Sequence, residues 1–99
     1  MLYDRLKQVF PGDYRIYQDL GVFLNSIGRI ELAQENFRQV VELNPSPEII
    51  YNYAIFLEKI GKLKEAIHFL ELYLEAPPEM DSSRKAKAEN LYLEWKSRL

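Results

Sequence analysis

Residues 14–45 read YRIYQDLGVFLNSIGRIELAQENFRQVVELNP, and residues 47–78 read PEIIYNYAIFLEKIGKLKEAIHFLELYLEAPP. Laid on one another at an offset of 33, the segments share Ile16/Ile49, Phe23/Phe56, Leu24/Leu57, Ile27/Ile60, Gly28/Gly61, Ala33/Ala66, Glu42/Glu75 and Pro45/Pro78, eight identities in 32 positions. Most other pairs keep their apolar or polar character, which marks an internal repeat. Each copy has two helical patterns separated by a glycine and closed by a proline. A hairpin of this kind carries more apolar surface than it can hide alone, so its copies are expected to stack.

Within the first copy, Ile16, Tyr17, Leu20, Phe23, Leu24 and Ile27 recur at spacings of three and four, the apolar face of an amphipathic helix. Asp13 is its expected N-cap, and Gly28 supplies the left-handed residue that ends it. Ile30, Ala33, Phe37, Val40, Val41 and Leu43 form a second helix, stopped by Asn44-Pro45. Ser46-Pro47 reads as an N-cap followed by a first-turn proline, whose missing amide hydrogen costs nothing there. A third helix follows through Ile49, Ile50, Tyr53, Ile55, Phe56, Leu57 and Ile60 to Gly61. A fourth carries Leu63, Ala66, Ile67, Leu70, Tyr73 and Leu74, closed by Pro77-Pro78. After the capping signal Asp81-Ser82-Ser83, a fifth runs through Ala88, Leu91, Tyr92, Trp95 and Leu99. Leu2 to Phe10 reads as a shorter helix, with Tyr3, Leu6, Val9 and Pro11 at the spacing of Phe37, Val40, Leu43 and Pro45.

These residues bring the chain close to a known pattern. The tetratricopeptide repeat asks for a large aromatic, Leu-Gly and an aromatic on its first helix, then Ala, an aromatic and Pro on and after its second. The first copy supplies Tyr17, Leu20-Gly21, Leu24, Ala33, Phe37 and Pro45. The second supplies Ile50, Tyr53-Ala54, Leu57, Ala66, Leu70 and Pro78, with Ala54 in place of the glycine and Leu70 in place of the aromatic. The sequence therefore resembles the tetratricopeptide family over nearly its whole length. The resemblance implies an all-α fold, a right-handed superhelical array of α-hairpins. Its expected parts are residues 1–10 as the second helix of a partial repeat, 14–46 and 47–78 as repeats, and 82–99 as a capping helix, all in one domain. Gly21, Ala33, Ala54 and Ala66 are small where paired helices approach closely.

Composition excludes several other functions. Hydrophobic residues at 47% and charged residues at 28% fit an ordinary globular chain and neither a disordered nor a membrane-embedded one. The net charge of −2 offers no chain-wide basic field for nucleic acid. With no cysteine there is no disulfide frame, thiolate metal site or thiol nucleophile, and the redox compartment is left open. No apolar leader follows Met1, no window approaches a membrane span, and Asn44-Pro45-Ser46 is spoiled as a glycosylation sequon by its proline. A cytoplasmic location is expected, with no membrane contact.

Candidate chemistry is sparse. Glu65 and His68 form a single i, i+3 pair, whereas a di-iron bundle needs two such pairs and further carboxylates, so His68 reads as a surface residue. The acids are scattered among Lys and Arg, and Gly28 and Gly61 are helix terminators, not parts of a phosphate loop. No enzyme, metal or cofactor is expected. Residues 82–99 hold Arg84, Lys85, Lys87, Lys96 and Arg98 against Glu89 and Glu94, while the rest of the chain is net acidic. That is the polar outer face a terminal cap needs, or a patch for an acidic partner.

By the resemblance, stacked first helices line a concave groove that holds a peptide or a helix of a partner protein. The groove-facing places fall at Arg15, Gln18, Val22 and Asn25, and at Glu48, Tyr51, Ile55 and Glu58. Polar groups flank an apolar floor, which suits a peptide backbone with an apolar side chain. Some family members clamp a C-terminal carboxylate with Lys, Arg and Asn. Val22 and Ile55 stand where such a clamp wants an amide, so recognition of that kind is not expected. The alternative is a structural role as a self-associating segment of a longer array. Tyr3, Leu6 and Val9 lack a hairpin partner, leaving an apolar N-terminal edge for an upstream repeat or a second copy in a homo-oligomer.

Overall fold

In a computed structural model, which describes residues 12–75 and 82–99, the chain is all-α. The described residues form α1 (Tyr14–Ser26), α2 (Ile30–Leu43), α3 (Pro47–Lys59), α4 (Leu63–Leu74) and α5 (Ser82–Ser97). The expected helix over residues 2–10, the turn at Pro77-Pro78 and the cap at Asp81 lie outside the described residues. Two compact units are distinguished, Met1–Ile49 and Ile50–Leu99.

Helix ends follow from local chemistry. The Asp13 carboxylate accepts from the Arg15 amide at 3.0 Å and so caps α1. The Ser46 hydroxyl accepts from the Ile49 amide at 3.4 Å, leaving Pro47 as the first residue of α3. Gly28 has φ +82° and Gly61 φ +85°. Past each glycine the chain turns back on the helix just ended. The Gly28 and Arg29 amides donate to the carbonyls of Asn25 and Leu24 at 3.2 and 2.8 Å. The Gly61 and Lys62 amides do the same to Glu58 and Leu57 at 3.1 and 2.9 Å. Both are Schellman turns, in which a left-handed residue lets the last carbonyls find donors. The next helix then starts without a side-chain cap, at Arg29 and at Lys62.

In the first unit α1 and α2 form a hairpin that buries Leu20, Gly21, Leu24, Ala33 and Val40. Gly21 is the tightest point, because a Cβ there would lie 2.6 Å from Phe37 Cε1 and 2.8 Å from Cδ1. Asn36 is buried with them, and its side-chain amide donates to the Leu32 carbonyl one turn back at 2.8 Å. Phe23 and Ile27 depart from the expected apolar face, at 43% and 53% exposed. Phe23 lies to one side of the stripe of Leu20, Gly21 and Leu24 that meets α2, and Ile27 lies just past the last residue of α1.

In the second unit Tyr53, Ala54, Leu57, Ala66, Ile67, Leu70 and Tyr73 form the core between α3 and α4. Tyr53 meets Phe69 edge-on with ring centroids 4.8 Å apart. Helix α5 packs on α4 and contributes Ala88 and Trp95, both almost fully buried. The Tyr92 hydroxyl donates to Glu71 Oε1 at 3.2 Å, and the Lys96 ammonium lies 5.6 Å from the Tyr92 ring centre. Leu99 does not share in this core: α5 ends at Ser97, and Leu99 is 62% exposed.

Candidate functional site

Helix geometry decides which side chains a hairpin leaves open. On α1 the residues Leu20, Gly21 and Leu24 face α2, so Arg15, Gln18, Val22 and Asn25, at spacings of three and four, share another face. All four are exposed, Val22 at 58%. A branched apolar side chain standing open between polar neighbours gains nothing from folding at that place.

Arg15 is less available than its exposure implies. Its Nε and Nη2 donate to the two Asp13 carboxylate oxygens at 3.0 Å each, a bidentate fork beside the helix cap. These bonds, the guanidinium's first and the backbone amide's second, hold the Asp13 carboxyl below its ordinary range.

On α3 the expected places differ in character. Glu48 is exposed in the first turn, favourable for a carboxylate near the positive end of the helix. Tyr51 and Ile55 are half-buried. The Tyr51 ring rests on the buried Tyr73 of α4 with centroids 4.9 Å apart. Glu58 accepts from Arg98 Nη1 at 2.8 Å, so the far end of α5 reaches back to α3. Neither pairing has a periodic signature, because Tyr51 and Tyr73 lie 22 positions apart and Glu58 and Arg98 lie 40. His68 is exposed, with its ring edge against Phe69. Among the described residues no three His, Asp or Glu side chains converge to hold a metal ion, and no helix is long and apolar enough to cross a membrane.

The two hairpins share a Schellman glycine and a second helix without a side-chain cap, each recurring at the 33-residue offset. A family model described as "Tetratricopeptide repeat" matches twice, at residues 14–47 and 47–80. The chain belongs to the tetratricopeptide repeat family. It thereby has the all-α, helical-repeat fold class of that family and the coarse character of a protein-interaction scaffold, in a family that is typically non-enzymatic. Among solved structures it is similar to that of the Yersinia enterocolitica type III secretion translocator chaperone SycD. The TM-score is 0.74 at 20% identity, covering 97% of this chain and 68% of the other. At that identity the likeness concerns the fold. A search of curated proteins finds no match.

Proposed function

We propose that this tetratricopeptide chain is a non-catalytic scaffold that holds an extended peptide or a helix of a partner protein against the first helices of its hairpins. The contact residues are Arg15, Gln18, Val22 and Asn25 on α1 and Glu48, Tyr51, Ile55 and Glu58 on α3. The observation that carries the reading is the exposed Val22 between hydrogen-bonding neighbours, on the face of α1 that hairpin formation leaves unused. Tyr51 adds a ring supported from beneath by Tyr73, the kind of pre-ordered aromatic that anchors interfaces at low entropic cost. The partner is protein, neither nucleic acid nor membrane, and no cofactor enters.

The test is a pull-down followed by amide-shift mapping with the recovered partner. Shifts at Val22 and Tyr51, and loss of binding in Val22→Glu with helicity intact, support the proposal. A footprint around Glu35, His68 and Glu71, with Val22 and Tyr51 silent, would assign binding to the second helices instead.

A second reading is self-association, as a structural segment of a larger array. Its support is the exposure of Phe23 and Ile27 on α1. Light scattering over a dilution series separates the two readings, because a dimer that Phe23→Ser converts to monomer favours this one.

A further inference from the structure

Of the contact places in the second unit, Glu58 already holds a ligand, and that ligand is part of the chain itself. Arg98 Nη1 lies 2.8 Å from Glu58 Oε1. The Glu58 side chain is 24% exposed and that of Arg98 47%, so the pair sits at the solvent boundary. Glu58 follows Ile55 by three positions and Tyr51 by seven, and the three share one face of α3.

We propose that Glu58 is a subsite for a basic side chain of the bound segment, and that Arg98 is its intramolecular occupant, which the partner's Lys or Arg displaces. This rests on the reading of the α3 face as a binding surface and adds the chemistry of the occupant. A carboxylate that accepts a guanidinium at 2.8 Å has shown which charge and donor it takes. An ion pair at the solvent boundary shifts an equilibrium by about fivefold at most, so it yields to a competitor. A base tied to an apolar anchor is such a competitor, because the anchor raises its effective concentration at Glu58. Tyr51 and Ile55 offer the anchor's place. Seven residues of helix span about 10 Å, which an extended peptide covers in about three residues. The ligand is therefore a segment with Lys or Arg about three positions from a large apolar residue.

An array of random peptides probed with the full-length chain, Arg98→Ala and Glu58→Gln tests this. Expected are bound peptides enriched in that spacing, affinity rising by up to about fivefold in Arg98→Ala, and loss of the preference for a base in Glu58→Gln. Helicity and melting temperature of each variant are read alongside. A lowered melting temperature in Arg98→Ala with unchanged affinities overturns the proposal, since the pair would then only fasten α5. Peptides bound by apolar residues alone leave the binding surface standing and overturn the assignment of Glu58. An array with no bound peptide defeats the surface reading and this one with it.

Discussion

Gly21 and Phe37 are in contact so close that a Cβ on the glycine would lie 2.6 Å from Cε1 of the ring. Hairpin one is drawn together at this point by the absence of a side chain. The equivalent places in hairpin two, 33 positions on, hold Ala54 and Leu70, both fully buried. One hairpin combines no side chain with a ring, the other a methyl with a smaller branched chain.

Gly21→Leu is accordingly expected to destabilise by about 1–3 kcal/mol through overpacking. Gly21→Ala combined with Phe37→Leu, which installs the pair found in hairpin two, is expected to be more stable than the sum of its single variants. A coupling of at least about 0.5 kcal/mol in a double-mutant cycle by urea unfolding is the outcome to look for. Strict additivity would show that the glycine and the ring do not constrain one another.

The two Schellman glycines predict a matched pair of costs. Gly28 and Gly61 have nothing within 4 Å of a built Cβ, so a side chain there meets no clash and only the left-handed backbone resists it. Alanine at either place should cost about 1–2 kcal/mol, and asparagine less, measured by thermal unfolding. An alanine variant as stable as the parent would remove the turn assignment.

The packing of α5 on α4 predicts that Trp95→Ala costs about 3–5 kcal/mol, the range for a large buried aromatic. Leu93→Ala, on the exposed side of the same helix, serves as the control and should lie within about 0.5 kcal/mol of the parent. Equal losses at the two positions would mean that α5 is not docked by its Trp95 face.

Acid stability carries a local signature. The Asp13 carboxyl is held below its ordinary value of 3.8 by the Arg15 guanidinium and amide. A depressed value in the fold means that the stabilisation is complete above the ordinary value and is lost as the pH falls through the folded one. Asp13→Asn keeps a capping oxygen but has no charge to lose. Its melting temperature should fall less steeply than the parent's below pH 3.8, the two curves converging at the acid end. Parallel curves would sever the link between the Arg15 fork and the cap.

Much of this architecture was legible because its signals are local. Asp13, Ser46, Gly28 and Gly61 each act through atoms two to five residues away, and Ala33, Ala54 and Ala66 were set in the core by the repeat alone. Periodicity misled where an apolar face is wider than the surface that covers it, as with Phe23 and Ile27 at the end of α1. It also carries the fifth helix two residues too far, to Leu99. Asn36 was not foreseen as buried, since its amide is accommodated by the Leu32 carbonyl, a bond that polarity alone does not announce. The expected binding residues follow from the family resemblance, but nothing local signals the Tyr51–Tyr73 contact or the hold of Arg98 on Glu58. Those come from elements far apart in the chain.

The single tryptophan of the chain, Trp95, is nearly fully buried in the unit Ile50–Leu99. Excited at the red edge of the band, where tyrosine does not absorb, its emission samples only that part of the molecule, while the hairpin of α1 and α2, which has Tyr14 and Tyr17 but no tryptophan, is silent. Far-ultraviolet dichroism weights both by their helix content. Recording the two signals in one titration turns an ordinary unfolding curve into a comparison of the units, and any gap between the midpoints measures how loosely one hairpin's folding is tied to the other's.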